Sequence, residues 1–262
     1  MNWKLAKTLF IIVFILVNIG LAIAYINKIN SSKVFEEEKT TELDFDEENI
    51  QILNKLPDVD DVKMQLITGK TKDFESYAKS RSNVKLNHGD ETIDVHMEHP
   101  IDFSEKEISP LKRYIDKHVY HGKDYQFKSS SKNRVVFEQT YSDYPIMNNS
   151  KALIIFKIDK DKRVKMFTQS YMGKVEPSEG ANNVEKQVIS PKKALDELYY
   201  NRYLISGDKV KNVRLGYYSF VREPSVQVLQ PNWEVVIEAD NETKTYYIEA
   251  TSNNPKIIEQ KE

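Results

Sequence analysis

The sequence predicts an α+β protein: a single N-terminal transmembrane helix, then an extracytoplasmic region of two related modules, each a helix packed on an antiparallel sheet. Three observations carry this reading. Residues 9–26 (LFIIVFILVNIGLAIAYI) form an apolar run of 18 with one strongly polar side chain, Asn18. The tripeptide Ile-Ser-Pro occurs at 108–110 and again at 189–191, each time ahead of an amphipathic pattern. Segments of alternating apolar and polar residues, divided by polar turns, follow both.

As a helix, residues 9–26 extend about 27 Å, close to the hydrocarbon thickness of a bilayer. A helix pairs its own backbone groups and so tolerates lipid. Trp3 and Tyr25 lie at the two ends, where amphipathic rings favour the headgroup level. Lys4 and Lys7 precede the run, while Lys28 after it is soon followed by Glu36, Glu37 and Glu38. This lysine bias puts residues 1–8 in the cytoplasm and the remainder outside. Ala22-Ile23-Ala24 matches an A-x-A cleavage pattern, but the apolar run passes through it with no polar segment before it, which favours a retained anchor. Gly20 and Ala24 form a small-xxx-small pair that admits a neighbouring helix, and Asn18 is a candidate for an interhelical hydrogen bond. The alternative for Asn18 is a bond to a carbonyl of its own helix.

Residues 30–56 are rich in Glu, Asp, Thr, Ser and Asn and read as an acidic stalk. The first module is expected over 57–180 and the second over 181–262. Residues 62–68 alternate as a strand, 72–80 suit a short helix, and 91–99 place Ile93, Val95 and Met97 on one strand face. In each Ile-Ser-Pro, Ser is the expected N-cap and Pro the first helical residue. The first helix aligns Leu111, Tyr114, Ile115, His118 and Val119 and is expected to stop near Gly122. The second aligns Ala194, Leu195, Leu198 and Tyr199 and is expected to stop near Gly207. Strands are expected at 124–128, 134–141, 152–158 and 164–171 after the first, and at 210–221, 226–238 and 244–251 after the second.

Composition narrows the function. Removing the three lysines before Ser31 from the 38 basic residues leaves 35 against 40 acidic ones, a net charge of −5 for the part beyond the anchor. That surface gives no reason to expect nucleic acid. There is no Cys, which excludes a disulfide scaffold, a thiolate zinc site and a thiol nucleophile. No Walker, dinucleotide-binding, nucleophile-elbow or His-Glu-x-x-His pattern occurs. His96 and His99, with His88 nearby, lie on opposite strand faces ahead of Pro100, so no metal site is expected. His118 and His121 flank the end of the first helix, where a protonated imidazole suits the dipole. Tyr141, Tyr144 and Trp233 are candidate partner-contact or domain-contact aromatics. No catalytic, cofactor-binding or metal-binding residue is assigned, and no enzyme activity is expected.

Several long strings are distinctive. They are MNWKLAKTLFIIVFILVNI at 1–19, QLITGKTKDF at 65–74, FEQTYSDYPIMNNSKA at 137–152 and ALDELYYNRYL at 194–204. With them go RLGYYS at 214–219, LQPNWEV at 229–235 and YYIEATSNNPKII at 246–258. On these the chain resembles the YycI (WalI) family, accessory proteins of the WalK (YycG) sensor histidine kinase, and most of all its staphylococcal members. The resemblance implies a single-pass anchor, an extracytoplasmic domain, association with the sister protein YycH (WalH) and with WalK, and control of cell-wall metabolism genes. It implies no catalytic residues, and it favours support of the kinase over restraint. A rival reading is an extracytoplasmic ligand-binding or structural module, with an aromatic cleft around Tyr141, Tyr144 and Trp233 and no kinase partner.

Overall fold

A computed structural model describes residue 7 and residues 10–22, 43–87, 89–104, 107–221, 224–240 and 242–260. The chain divides into two units, Met1–Glu47 and Glu48–Glu262.

In the first unit, residues 10–22 form helix α1. Leu9 and residues 23–26 of the expected span lie outside the described residues, as do Trp3, Lys4, Ala24 and Tyr25. The described turns of α1 measure about 20 Å. No helix among the described residues is long and apolar enough to cross a membrane. Residues 30–42 of the expected stalk also lie outside the described residues.

The second unit opens with β1 (Gln51–Ile52), β2 (Lys63–Met64), β3 (Ile67–Thr71), α2 (Glu75–Lys79), β4 (Val84–Asn87) and β5 (Thr92–Asp102). Helix α3 (Ser109–His118) and a 3-10 turn (Gly122–Asp124) lead to β6 (Tyr125–Ser131), β7 (Arg134–Tyr141), β8 (Tyr144–Met147), β9 (Leu153–Ile158), β10 (Arg163–Ser170) and β11 (Met172–Pro177). The chain ends with β12 (Lys186–Gln187), α4 (Pro191–Tyr200), β13 (Lys209–Tyr218), β14 (Val226–Ala239), β15 (Glu242–Glu249) and β16 (Ile257–Glu259). The fold is α+β, as expected, and rich in sheet.

Fourteen strands form one sheet, ten of them along the path β11-β3-β14-β13-β8-β7-β9-β10-β5-β4, with β1, β6, β15 and β16 branching from it. Helix α3 lays Leu111 and Ile115 on a core from β5, β7, β9 and β10 that includes Ile93, Phe137, Ile154, Phe156 and Phe167. Helix α4 buries Ala194, Leu195 and Leu198. The parallel pair β8–β13 joins the strands that follow the two helices. There Gly216 is required by close approach, because a Cβ on it would lie 2.5 Å from the Pro145 carbonyl oxygen.

Several expectations are corrected. Residues 62–68 do not form one strand but divide between β2 and β3, which pair with different partners, β12 on one side and β11 and β14 on the other. Ser109 does not cap α3: the cap position is Ile108, and no side chain bonds there. Ser190 does cap α4, its hydroxyl accepting from the Lys193 N–H at 3.1 Å. His118, the last residue of α3, is exposed, with its ring stacked on Tyr114 at 4.9 Å. Helix α4 ends at Tyr200, well before Gly207. Arg202 adopts φ 61°, the Arg202 N–H bonds the Tyr199 carbonyl at 2.9 Å, and the Tyr203 N–H bonds the Leu198 carbonyl at 2.8 Å. This is a Schellman termination built on a non-glycine residue. Residues 48–56, at the end of the segment read as a stalk, join the folded unit: Ile50 is buried and β1 pairs in parallel with β13.

Candidate functional site

The expected contact residues fall in three places. In α1, the Asn18 side-chain N–H donates to the Phe14 carbonyl at 2.8 Å, the intrahelical alternative. No described atom lies within 4 Å of a Cβ added to Gly20, so that face of the helix is open. Tyr141 and Tyr144 flank the β7–β8 hairpin, whose central residues Ser142 and Asp143 both have positive φ. That backbone is the type I′ geometry that suits the twist of a hairpin. The Tyr141 ring meets Tyr217 edge-on, with centroids 5.9 Å apart. Trp233 is fully buried in β14, and its indole N–H donates to the Ile189 carbonyl at 3.0 Å. Tyr141 and Tyr144 are therefore half-exposed neighbours, while Trp233 sits in the core.

A charged cluster that the sequence reading did not single out lies beneath the sheet junction. Arg214 on β13, Glu234 on β14 and Tyr247 on β15 stand opposite one another in one row. Arg214 Nε donates to Glu234 Oε1 at 2.5 Å, and Tyr247 Oη donates to Glu234 Oε2 at 2.9 Å. The other end of the guanidinium grips Glu138 of β7, with Nη1 on Oε1 and Nη2 on Oε2 at 3.2 Å. Gln126 Nε2 also donates to Glu138 at 3.3 Å, and Lys128 Nζ stands 3.9 Å from it. Glu138 is fully buried and Glu234 nearly so.

Burial works against the Arg214 charge, yet the bonds and charges of Glu234 and Glu138 outweigh it and raise its pKa. Burial likewise pushes Glu234 up, but Arg214 holds it below the usual carboxylate range. The Tyr247 hydroxyl is raised, first by burial and then by the Glu234 carboxylate. A carboxylate kept ionised and a guanidinium kept charged offer no proton near neutral pH. The cluster therefore acts as a fastener between β7 and the β13–β15 meander rather than as an acid–base pair. One signal was readable: Glu138 and Glu234 interrupt otherwise apolar strand segments, VVFEQ and NWEVVI.

Among the described residues no group of His, Asp and Glu has metal-holding geometry. His96 and His99 are exposed on β5, where residues 97–100 bulge opposite Lys165.

A family model for the YycI protein matches residues 29–251. The chain belongs to the YycI family. Members of the YycI family are membrane-associated accessory regulators of the WalK (YycG) two-component system. No curated protein matches the chain. Among solved structures it is similar to the crystal structure of an uncharacterized protein from Eubacterium rectale, with 10% identity, 80% of this chain and 91% of that chain covered, and a TM-score of 0.49.

Proposed function

We propose that this YycI family member is a single-pass membrane protein, N-terminus cytoplasmic and folded part outside, that acts with YycH on the sensor kinase WalK. Through the kinase it supports expression of cell-wall metabolism genes. The observation that carries the reading is the family match over residues 29–251, joined to an apolar helix at 10–22. The exposed surface of that helix is apolar, from Phe10 through Leu21, and lipid or another helix is its natural surrounding. Asn18 uses one amide N–H on its own helix, which leaves the side-chain carbonyl and the second N–H for a partner. A contact of this kind changes kinase output only if it differs between the kinase's active and inactive states.

The test is co-purification of the tagged protein with WalK and YycH from membranes. Both partners are expected to be recovered with the wild-type chain. Asn18→Leu and Gly20→Leu are expected to reduce kinase recovery or change reporter output, because one removes a hydrogen bond and the other a close approach. Recovery and signalling unaltered in both variants would make the helix an anchor without a specific partner face.

A further inference from the structure

A groove of about 630 Å³ opens between α3 and the β6–β7 hairpin, lined by Ile108, Arg113, Lys123, Phe127 and Phe137 among others. Its size falls within the roughly 300–1,000 Å³ range of ligand sites. Three features of its walls bear on what fills it.

First, the wall is basic. Lys112, Arg113 and Lys123 line it against one acid, Asp143. Lys112 is engaged, with its ammonium 2.8 Å from Asp116. Arg113 and Lys123 are exposed and hold no ion pair among the described residues. Second, the floor is apolar. Phe127 is 40% exposed and meets Phe137 edge-on at 5.8 Å. The Phe127 ring gives an apolar ligand side chain a flat surface to cover. Third, one side is a strand edge. Among the described residues β6 pairs only with β7. Lys112 Nζ donates to the Tyr125 carbonyl at 2.8 Å, so that carbonyl faces away from β7. By the two-residue period of a strand, the N–H and C=O of Phe127 face the same way, into the groove. Past Phe127 the register shifts and Ser129, Ser130 and Ser131 follow, which blunts the far half of the edge in the way natural sheets protect themselves. On the near half Tyr125 is taken up, its N–H by the Gly122 carbonyl and its C=O by Lys112, so Phe127 presents the open backbone groups.

We propose that this groove binds an extended acidic peptide segment by strand addition. The peptide backbone pairs with Phe127, an apolar side chain covers the Phe127 ring, and flanking carboxylates reach Arg113 and Lys123. Backbone pairing supplies affinity and the alternate side chains supply selectivity, as in other edge-strand recognition. The site is separate from the anchor helix, so it stands or falls apart from the kinase reading.

The test uses the full-length protein in detergent and a short fluorescein-labelled peptide of alternating glutamate and leucine, followed by fluorescence anisotropy. Saturable binding is expected, weakening as salt rises. Arg113→Glu combined with Lys123→Glu is expected to weaken it about tenfold or more, since both groups attract the ligand and then repel it. Both side chains are exposed, and an unshifted melting temperature confirms that the variant is folded. Replacing leucine by serine in the peptide, or Phe127→Ser in the protein, should also weaken binding. The proposal is overturned if no saturable binding occurs, if the double variant binds as well as wild type, or if the serine peptide binds as tightly as the leucine peptide.

Discussion

Arg214 is the residue on which the polar interior turns. It satisfies two carboxylates from different parts of the chain, Glu138 and Glu234, and both are buried. Removing one partner of a buried ion pair leaves charge without compensation and costs about 3–5 kcal/mol. Arg214→Ala is expected to lose stability on that scale in urea melts of the folded unit. Arg214→Ala combined with Glu138→Gln and Glu234→Gln should recover part of it, because no uncompensated charge then remains. The cluster also sets a pH response. Glu234 has a folded pKa below its unfolded value, so its contribution is fully present above the unfolded value. It is lost as pH falls through the folded one. Melting temperature should therefore fall as the solution is acidified below about pH 4.3, the ordinary value for glutamate. In Glu234→Gln that part of the slope should be missing. An unchanged acid slope in Glu234→Gln would remove this residue as its source. Such a cluster was hard to read because Glu in a strand ordinarily faces water. β14, buried on both faces through its middle, turns Glu234 inward, and β7 does the same with Glu138.

At the scale of single elements, two identical tripeptides behave differently, and the difference is measurable. Ser190 bonds the Lys193 N–H, whereas Ser109 lies inside α3 and bonds no backbone there. Ser190→Ala is expected to cost about 1 kcal/mol, the usual worth of an N-cap, and Ser109→Ala to cost much less. Equal losses in the two variants would mean that the α4 cap bond carries no particular weight. The end of α4 gives the complementary case. Arg202 occupies the left-handed position of a Schellman turn, where glycine has no Cβ to strain. Arg202→Gly should be neutral or stabilise by up to about 1 kcal/mol, read as a rise in melting temperature. The sequence pointed to Gly207 as the stop because glycine is the commonest such residue. Nothing in the Asn-Arg-Tyr sequence at 201–203 marks an arginine as left-handed. The longer strands after both helices, β6, β7, β9, β10, β13, β14 and β15, were legible to within a few residues, because their alternation is regular and their turns are polar, whereas β8, β11 and β16 were not read. Short β1 and β12 were missed, and β2 was merged with β3, since two residues carry no period.

The whole molecule raises the question of whether the two proposed modules, 57–180 and 181–262, are more than an architectural repeat. Periodicity showed two helices, each followed by strands, but strand order is a long-range property that local pattern does not encode. In the sheet, β3 from the first region pairs with β14 of the second, and β8 pairs with β13. Buried side-chain bonds reinforce the junction: Asn149 Nδ2 donates to Gln227 Oε1 at 2.7 Å, and Arg214 reaches Glu138. A boundary crossed by backbone pairing, buried amides and an ion pair is unlike the thin linkers that separate autonomous domains. We therefore expect residues 48–262 to unfold in one transition, with near- and far-UV circular dichroism coinciding. Residues 181–262 expressed alone should fail to fold, because β14 loses its β3 partner and Glu234 sits in a cluster short of Glu138. Gly216→Val, which drives a side chain into the Pro145 carbonyl at the β8–β13 seam, should lower the melting temperature of the entire unit rather than of one part. Two resolved transitions, or a folded 181–262 fragment, would instead give each module its own stability and make the seam a docking surface between domains.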